Sequence, residues 1–363
     1  MKRVLLLGAG HAQLAVLEAL ARLKRRPPAE WLLVSPGERF LYSGRVPGWV
    51  AGRFDYSQCS FALAPLAQAA GVDFLQGRAV ALDAAAQRVT LADGRSIEYD
   101  LLSLDIGGTQ NRDRLPGARE NALFLRPIEG FAQLWRQTQA LASERALDFV
   151  VVGGGAAGTE IALAVRHAFE GRATVTLVAE GGLLPGHAGG AQLRAATALQ
   201  QRGIQLLPGR CTAIEPWHVC LGPMRVACDV PILAVGSDAP VWLAASGLTL
   251  DADGFVCTGP TLRSTSHSMV FATGDVSARP DHPHPRSGVH AVRAGPVLGR
   301  NLLSWLRGAP LIQHTPQRRS LYLLSTGDGR AIASWGAWSA EGRWVGRWKD
   351  RIDSAFIRRY SKK

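Results

Sequence analysis

Two glycine clusters and a few well-placed acids are the parts of this chain that could do chemistry. Gly8-Ala9-Gly10 follows an apolar run at 4–7 and precedes Ala12, Ala15, Val16, Ala19, Leu20 and Leu23 at helical spacing. A strand that turns through glycines into a helix aims backbone N–H groups and a positive dipole end at one point, which suits a pyrophosphate. This first cluster is an incomplete G-x-G-x-x-G, because Gln13 stands where the third glycine belongs. The second cluster is complete. Gly153, Gly155 and Gly158 lie between the apolar run 149–152 and a helical face of Ala157, Ile161, Ala164, Val165 and Ala168. The strand-like run 173–178 then leads to Glu180, an acid placed to bind a ribose hydroxyl, whereas the matching place in the first half holds Ser35. Asp275 ends a further apolar run after Gly274, where a carboxylate suits hydroxyls better than phosphate.

The elements that must position these groups read as a duplicated α/β unit. Runs 4–7 and 31–35 give the first pair of strands, and 149–152 and 173–178 give the second. Strands at 100–106 and 229–236 close the two units, each ending in glycine, at Gly107 and Gly236. A hairpin is expected around 89–99, with Asp93-Gly94 as its turn. The polar, turn-rich segment 42–48 reads as a loop. Residues 288–305 read as a loop and helix, with Pro296 in or near the first turn, where its missing N–H costs little. The expected fold is α/β, with two Rossmann-like dinucleotide-binding units and a small C-terminal segment. Two such sites side by side suggest two cofactors face to face, one feeding electrons to the other.

At 363 residues, with 40 glycines, the chain has room for two domains and ample core. The net charge of +12 invites nucleic acid or a membrane surface, but most arginines are scattered singly, so no nucleic-acid partner is expected. Five cysteines, with no C-x-x-C or C-x4-C, argue for a reducing compartment and against a thiol metal site. The apolar N-terminal run is broken by Gly8, Gly10, His11 and Gln13, too early for a secretory signal, and no stretch is long and apolar enough to span a bilayer. The chain reads as cytoplasmic. His282 and His284, flanked by prolines, read as a solvated loop and not as metal ligands.

The order of motifs resembles the two-dinucleotide-binding flavoproteins of the pyridine nucleotide–disulfide oxidoreductase superfamily. It is carried by Gly8-Ala9-Gly10, Tyr99-Asp100 to Gly107, Gly153 to Glu160, Ile232 to Gly236 and Phe271 to Asp275. Gly10-His11-Ala12, Tyr42-Ser43-Gly44, the run 102–107 and Trp348-Lys349-Asp350-Arg351-Ile352-Asp353 resemble one subgroup more closely. These are NADH-dehydrogenase-like flavoproteins that occur alone or fused ahead of selenide, water dikinase. The resemblance implies that one dinucleotide-binding domain is inserted in the other, with boundaries 1–120 and 256–308 for the first, 121–255 for the insert and 309–363 for the C-terminal segment. It implies FAD on the first unit, with Gly8, Gly10 and His11 at its pyrophosphate, His11 through its backbone. It also implies Ser35 near the adenosine ribose and Asp275 on the ribityl or pyrophosphate region. Ala12, Pro36, Tyr42, Ser43, Gly44, Val80, Gly107, Gly274 and Ala291 are counted as further flavin contacts. NAD(P)H is implied on Gly153, Gly155 and Gly158, with Glu180 and Gly236 beside it and Glu160 near the nicotinamide.

The inferred reaction is hydride transfer from NAD(P)H to the flavin, then electron release to a small acceptor such as a quinone. The alternatives are a reductase in selenium metabolism and a nucleotide-sensing flavoprotein with little turnover. No protein side chain is assigned as catalytic, and the helix start at 290–295 is the candidate to stabilise reduced flavin through its dipole. The cysteine pairs of disulfide reductases and sulfide:quinone reductases are not matched, so no thiol relay is expected. Glu180 favours NADH mildly, since a carboxylate repels a 2′-phosphate, and Arg210 is the residue that could reverse it. Trp344, Trp348, Ile352 and Phe356 recur every four residues among Lys349, Arg351, Arg358, Arg359, Lys362 and Lys363. That stripe either meets the inner face of a membrane peripherally or packs a terminal helix onto its own body.

Overall fold

A computed structural model describes residues 1–25 and 27–361; Lys362 and Lys363 of the expected basic stripe lie outside them. The chain opens with β1 (Lys2–Leu7), α1 (His11–Ala21), β2 (Ala29–Ser35), β3 (Asp73–Gln76) and β4 (Leu101–Leu104). It repeats the theme with β5 (Leu123–Phe124), β6 (Leu147–Val152), α2 (Ala156–Ala168), β7 (Ala173–Ala179), β8 (Gln205–Pro208) and β9 (Val230–Leu233). It then supplies β10 (Val270–Ala272) and α3 (Gly288–Leu306), and ends in β11 (Tyr322–Ser325), β12 (Ala331–Trp335), β13 (Trp338–Gly342) and α4 (Arg343–Ser361).

The two main sheets are parallel and share one arrangement of their four inner and far strands, while the edge strand beside the closing strand comes last in the chain in one and first in the other. One runs β10-β4-β1-β2-β3 and the other β5-β9-β6-β7-β8. In each, the strand that leads into the glycine turn, β1 or β6, lies between its successor and the closing strand, so strand order reverses beside it and a crevice opens at the carboxyl ends. The registers match: Leu7 pairs with Val34 and Leu104, and Val152 with Val178 and Leu233. Val4, Leu5 and Leu6 are fully buried, as parallel strands covered on both faces require.

Two expectations about elements need correction. Pro296 lies inside α3, well past its first turn. It is tolerated there because Pro296 and Val292, whose carbonyl it leaves unbonded, both face solvent. Glycine fixes the buried face instead: a Cβ on Gly295 would come within 2.9 Å of the Ala12 carbonyl on α1. The segment 42–48 is not all loop, since a 3-10 turn at Ser43–Arg45 runs into a buried helix at Val46–Val50. Pro47 occupies its first turn, a helix-compatible place that looks like a turn signal in sequence.

The C-terminal segment is an antiparallel sheet, β11-β12-β13, followed by α4, and it touches both units. On the second unit, the Ser325 amide donates to Glu160 at 2.7 Å and Arg202 pairs with Asp328 at 2.6 Å. On the first, Arg359 donates to Glu18 of α1 at 2.7 Å, Tyr42 to Asp353 at 3.0 Å, and Lys349 to the Gly44 carbonyl at 2.7 Å.

Candidate functional site

Both glycine turns open onto one cavity of 1220 Å³ between the two sheets. Such a volume exceeds the usual range of about 300–1,000 Å³ for a site that takes one small ligand. The first turn contributes Gly8, Gly10 and His11, and the strand end beyond it Ser35 and Pro36. Ser43, Gly107, Gly274, Asp275 and Ala291 line the same space. So do Gly153, Gly155, Glu160, Glu180 and Gly236 from the second unit.

Five residues expected at the cofactors do not line it. Val80 points outward and is 41 % exposed, because its neighbour Ala79 takes the inward position on an alternating strand. Ala12 is fully buried and its amide donates to Asp105 at 2.8 Å. Tyr42 stacks on Phe356, ring centroids 4.4 Å apart, behind the cavity wall. Gly44 serves as the acceptor for Lys349. Gly158 does structural work, since a Cβ there would strike the Gly153 carbonyl.

The turns themselves need glycine. Gly8 has φ +89° and lies against the Asp105 backbone; Gly153 has φ +128°, and a Cβ there would sit 2.5 Å from the Ala234 carbonyl. At the first turn the third-glycine position is filled by a fully buried Gln13. Its Nε2 donates to the Ser103 carbonyl at 2.7 Å, tying α1 to β4, so it faces the sheet and not a cofactor. The missing glycine is replaced by a side-chain bond.

Charge is distributed unevenly along the cavity. Asp275 accepts from Arg126 Nη1 at 2.6 Å, and the Arg126 amide is held by Gln110 Oε1 at 2.9 Å. His11 is packed against Phe40 and Phe356, and burial holds its imidazole down at about 4, so it is neutral. Glu160 lies at the wall between the two units. Burial pushes its carboxyl up to about 7, against the opposing pull of the Lys349 ammonium and the Ser325 amide. Lys349 itself is fixed by Asp353 at 3.0 Å. The start of α3 reaches the cavity through Gly288 and Ala291.

Asp105, Arg126 and the Lys349–Asp353 pair were not singled out as site residues by the sequence. Asp105 carried the same signal as Asp275, an acid at the carboxyl end of a parallel strand, and could have been found that way. Arg126 carries none, since an arginine outside the motifs reveals nothing about its partner. The five cysteines are free and buried. Among the described residues no group of His, Cys, Asp or Glu could hold a metal ion.

The geometry fits two dinucleotides: two strand–glycine–helix turns face one cavity, each with a left-handed glycine where a pyrophosphate needs close backbone approach. The profile of the pyridine nucleotide-disulphide oxidoreductase family matches residues 2–295. An alternative NAD(P)H-ubiquinone oxidoreductase of Arabidopsis thaliana is 26% identical over 355 residues, spanning 85% of this chain and 68% of the relative. A demethylphylloquinone reductase of Synechocystis is 24% identical, spanning 92% of this chain and 87% of the relative. The fold is shared with a sulfide:quinone oxidoreductase of Aquifex aeolicus, at a TM-score of 0.83 and 19% identity, covering 99% of this chain and 92% of that one. The chain belongs to the pyridine nucleotide-disulphide oxidoreductase family, as an oxidoreductase with FAD and NAD(P)H for cofactors.

Proposed function

We propose that this enzyme is an NAD(P)H:quinone-type oxidoreductase, with FAD on the first turn and NAD(P)H on the second. The observation that carries the reading is that both turns open onto one cavity, which Glu160 also lines. When bound, FAD accepts a hydride from NAD(P)H and passes the electrons to the second substrate. The free Ala9 and His11 amides hold the flavin's pyrophosphate, which Gly8 and Gly10 allow to come close, and Asp275 holds a hydroxyl. Gly153 and Gly155 hold that of NAD(P)H, and Glu180 its ribose.

Reducing a quinone to a quinol consumes two protons as well as two electrons. Glu160, with its carboxyl near 7, is matched to give a proton at neutral pH, and Lys349 tunes it. Quinone-reducing relatives from Arabidopsis and Synechocystis support this acceptor class.

The acceptor of this class is met at a lipid surface. Trp335, Trp338 and Trp344 are about half exposed, at 50, 45 and 51 %, and Trp344 stacks on Trp348. Ile352 is also exposed, and Arg343, Arg347 and Arg351 surround the patch. A step of four residues advances roughly 40° around a helix. The stripe therefore drifts from solvent at Trp344 to the protein body at Phe356. The second half packs onto the body, and the exposed first half suits an interfacial face. No helix among the described residues is long and apolar enough to cross a membrane.

Mixing NADH-reduced enzyme with a short-chain benzoquinone tests the acceptor. Rapid reoxidation, faster than by oxygen, is expected. Reoxidation no faster than with buffer alone contradicts the quinone reading.

A further inference from the structure

The first turn carries a negative charge of its own. The Asp105 side chain lies across the start of α1, where Oδ2 accepts from the Ala12 and Gln13 amides at 2.8 and 2.9 Å. Two glycines box it in: a Cβ on Gly10 would strike the carboxyl, and one on Gly274 would come within 2.6 Å of Oδ1. Asp105 is only 3 % exposed, and that remainder opens onto the cavity. Oδ1 has no donor among the described residues. The Gly8 and Gly10 amides are committed to the Val34 and Asp105 carbonyls, at 2.8 and 3.0 Å. Of the amides from Gly8 to Gln13, those of Ala9 and His11 are left to meet an anion.

An anion at this turn therefore meets a fixed carboxylate beside those amides. The charged groups nearby do not relieve the conflict. Asp275, next in the chain to the Gly274 that abuts the Asp105 carboxyl, adds negative charge, and its cation Arg126 is already paired with it. His11 on α1 is held neutral by burial. Gln13 and Ser103 from the packed strand are uncharged. Two like charges close together in a site shielded from water cannot both stay ionised at little cost.

We propose that Asp105 takes up a proton from solvent as FAD binds and stays neutral in the holoenzyme, presenting an O–H to the flavin pyrophosphate instead of a second anion. This rests on the reading that FAD occupies the first turn. Burial, with the Asp275 charge adding to it and the Ala12 and Gln13 amides opposing it, lifts the carboxyl to about 7, so the arriving phosphates have little further to push. The second turn shows what the device is for. Ala234 stands where Asp105 does, backing Gly153 as Asp105 backs Gly8, and it has no charge. A cofactor meant to stay bound and one meant to come and go are thus met by different chemistry.

The test follows FAD release from diluted holoenzyme by flavin fluorescence across neutral to alkaline pH. In the wild type Kd is expected to weaken by up to about tenfold per pH unit above neutrality, as a one-proton linkage dictates. In Asp105→Asn, whose amide donates at any pH, Kd is expected to be flat. Calorimetric reconstitution in two buffers of different ionisation heat gives a second readout that needs no variant. About one proton should be taken up per FAD at mildly alkaline pH, by wild type and by Glu160→Gln alike. A wild-type enzyme that binds FAD without proton uptake overturns the proposal, as does uptake that persists in Asp105→Asn. A protein that binds no FAD fails the underlying reading instead.

Discussion

The two glycine turns are copies in topology and opposites in detail. At the second, Gly158 lets α2 press onto the strand backbone, Ala234 backs the turn, and the helix start is left to the ligand. At the first, Gln13 replaces that glycine and bonds across to Ser103, while Asp105 takes two of the helix amides. One turn reaches close packing by leaving atoms out, the other by adding polar atoms that satisfy each other. The lesson is that a consensus describes one solution to a packing problem. A departure from it can be a second, complete solution.

The comparison breaks most severely at Gly158. A side chain there meets backbone, which no neighbour can yield, so Gly158→Val is expected to cost about 3 kcal/mol in urea unfolding and to abolish NAD(P)H binding. FAD content of the folded fraction should be retained. Completing the first motif should harm the protein as well. Gln13→Gly strips the Ser103 carbonyl of its 2.7 Å donor and puts glycine in a helix, for an expected loss of about 2 kcal/mol in the same assay. A gain in stability would show that the consensus, and not the bond, governs this turn.

Between the turns, Glu160 is sensitive to its cation. Quinone turnover is expected to fall as pH rises through about 7, where the carboxyl loses its proton. Lys349→Met removes the positive charge that pulls the carboxyl down, so the fall should move to higher pH. Glu160→Gln should erase it, read from pH profiles of kcat. The smallest effect concerns Glu180, which lies 4.0 Å from Arg210 with both side chains exposed. Glu180→Ala frees Arg210 for a 2′-phosphate and should raise the NADPH-to-NADH ratio of kcat/KM about tenfold.

Much of the fold was legible because the glycines, the flanking apolar runs and the strand ends obey periodicities that depend on the backbone alone. The parallel strands, α1 and α2 follow from those. What was not legible depends on a partner distant in sequence. Asp105 and Gln13 look like a strand end and an imperfect motif until α1 is laid against β4. Pro296 looks like a helix start until its outward face is known. Val80 differs from Ala79 only in which way a strand residue points. The aromatic stripe could not be divided between solvent and core before the position of Tyr42 was fixed.

The central claim is that one cavity holds both cofactors and passes electrons between them. Anaerobic mixing of purified enzyme with NADH or NADPH, followed by flavin absorbance in a stopped-flow instrument, tests it directly. The protein is expected to purify with FAD and to lose its flavin absorbance in a single fast phase with at least one of the two nucleotides. Absence of flavin from folded protein, or bound flavin that neither nucleotide bleaches, would contradict the account.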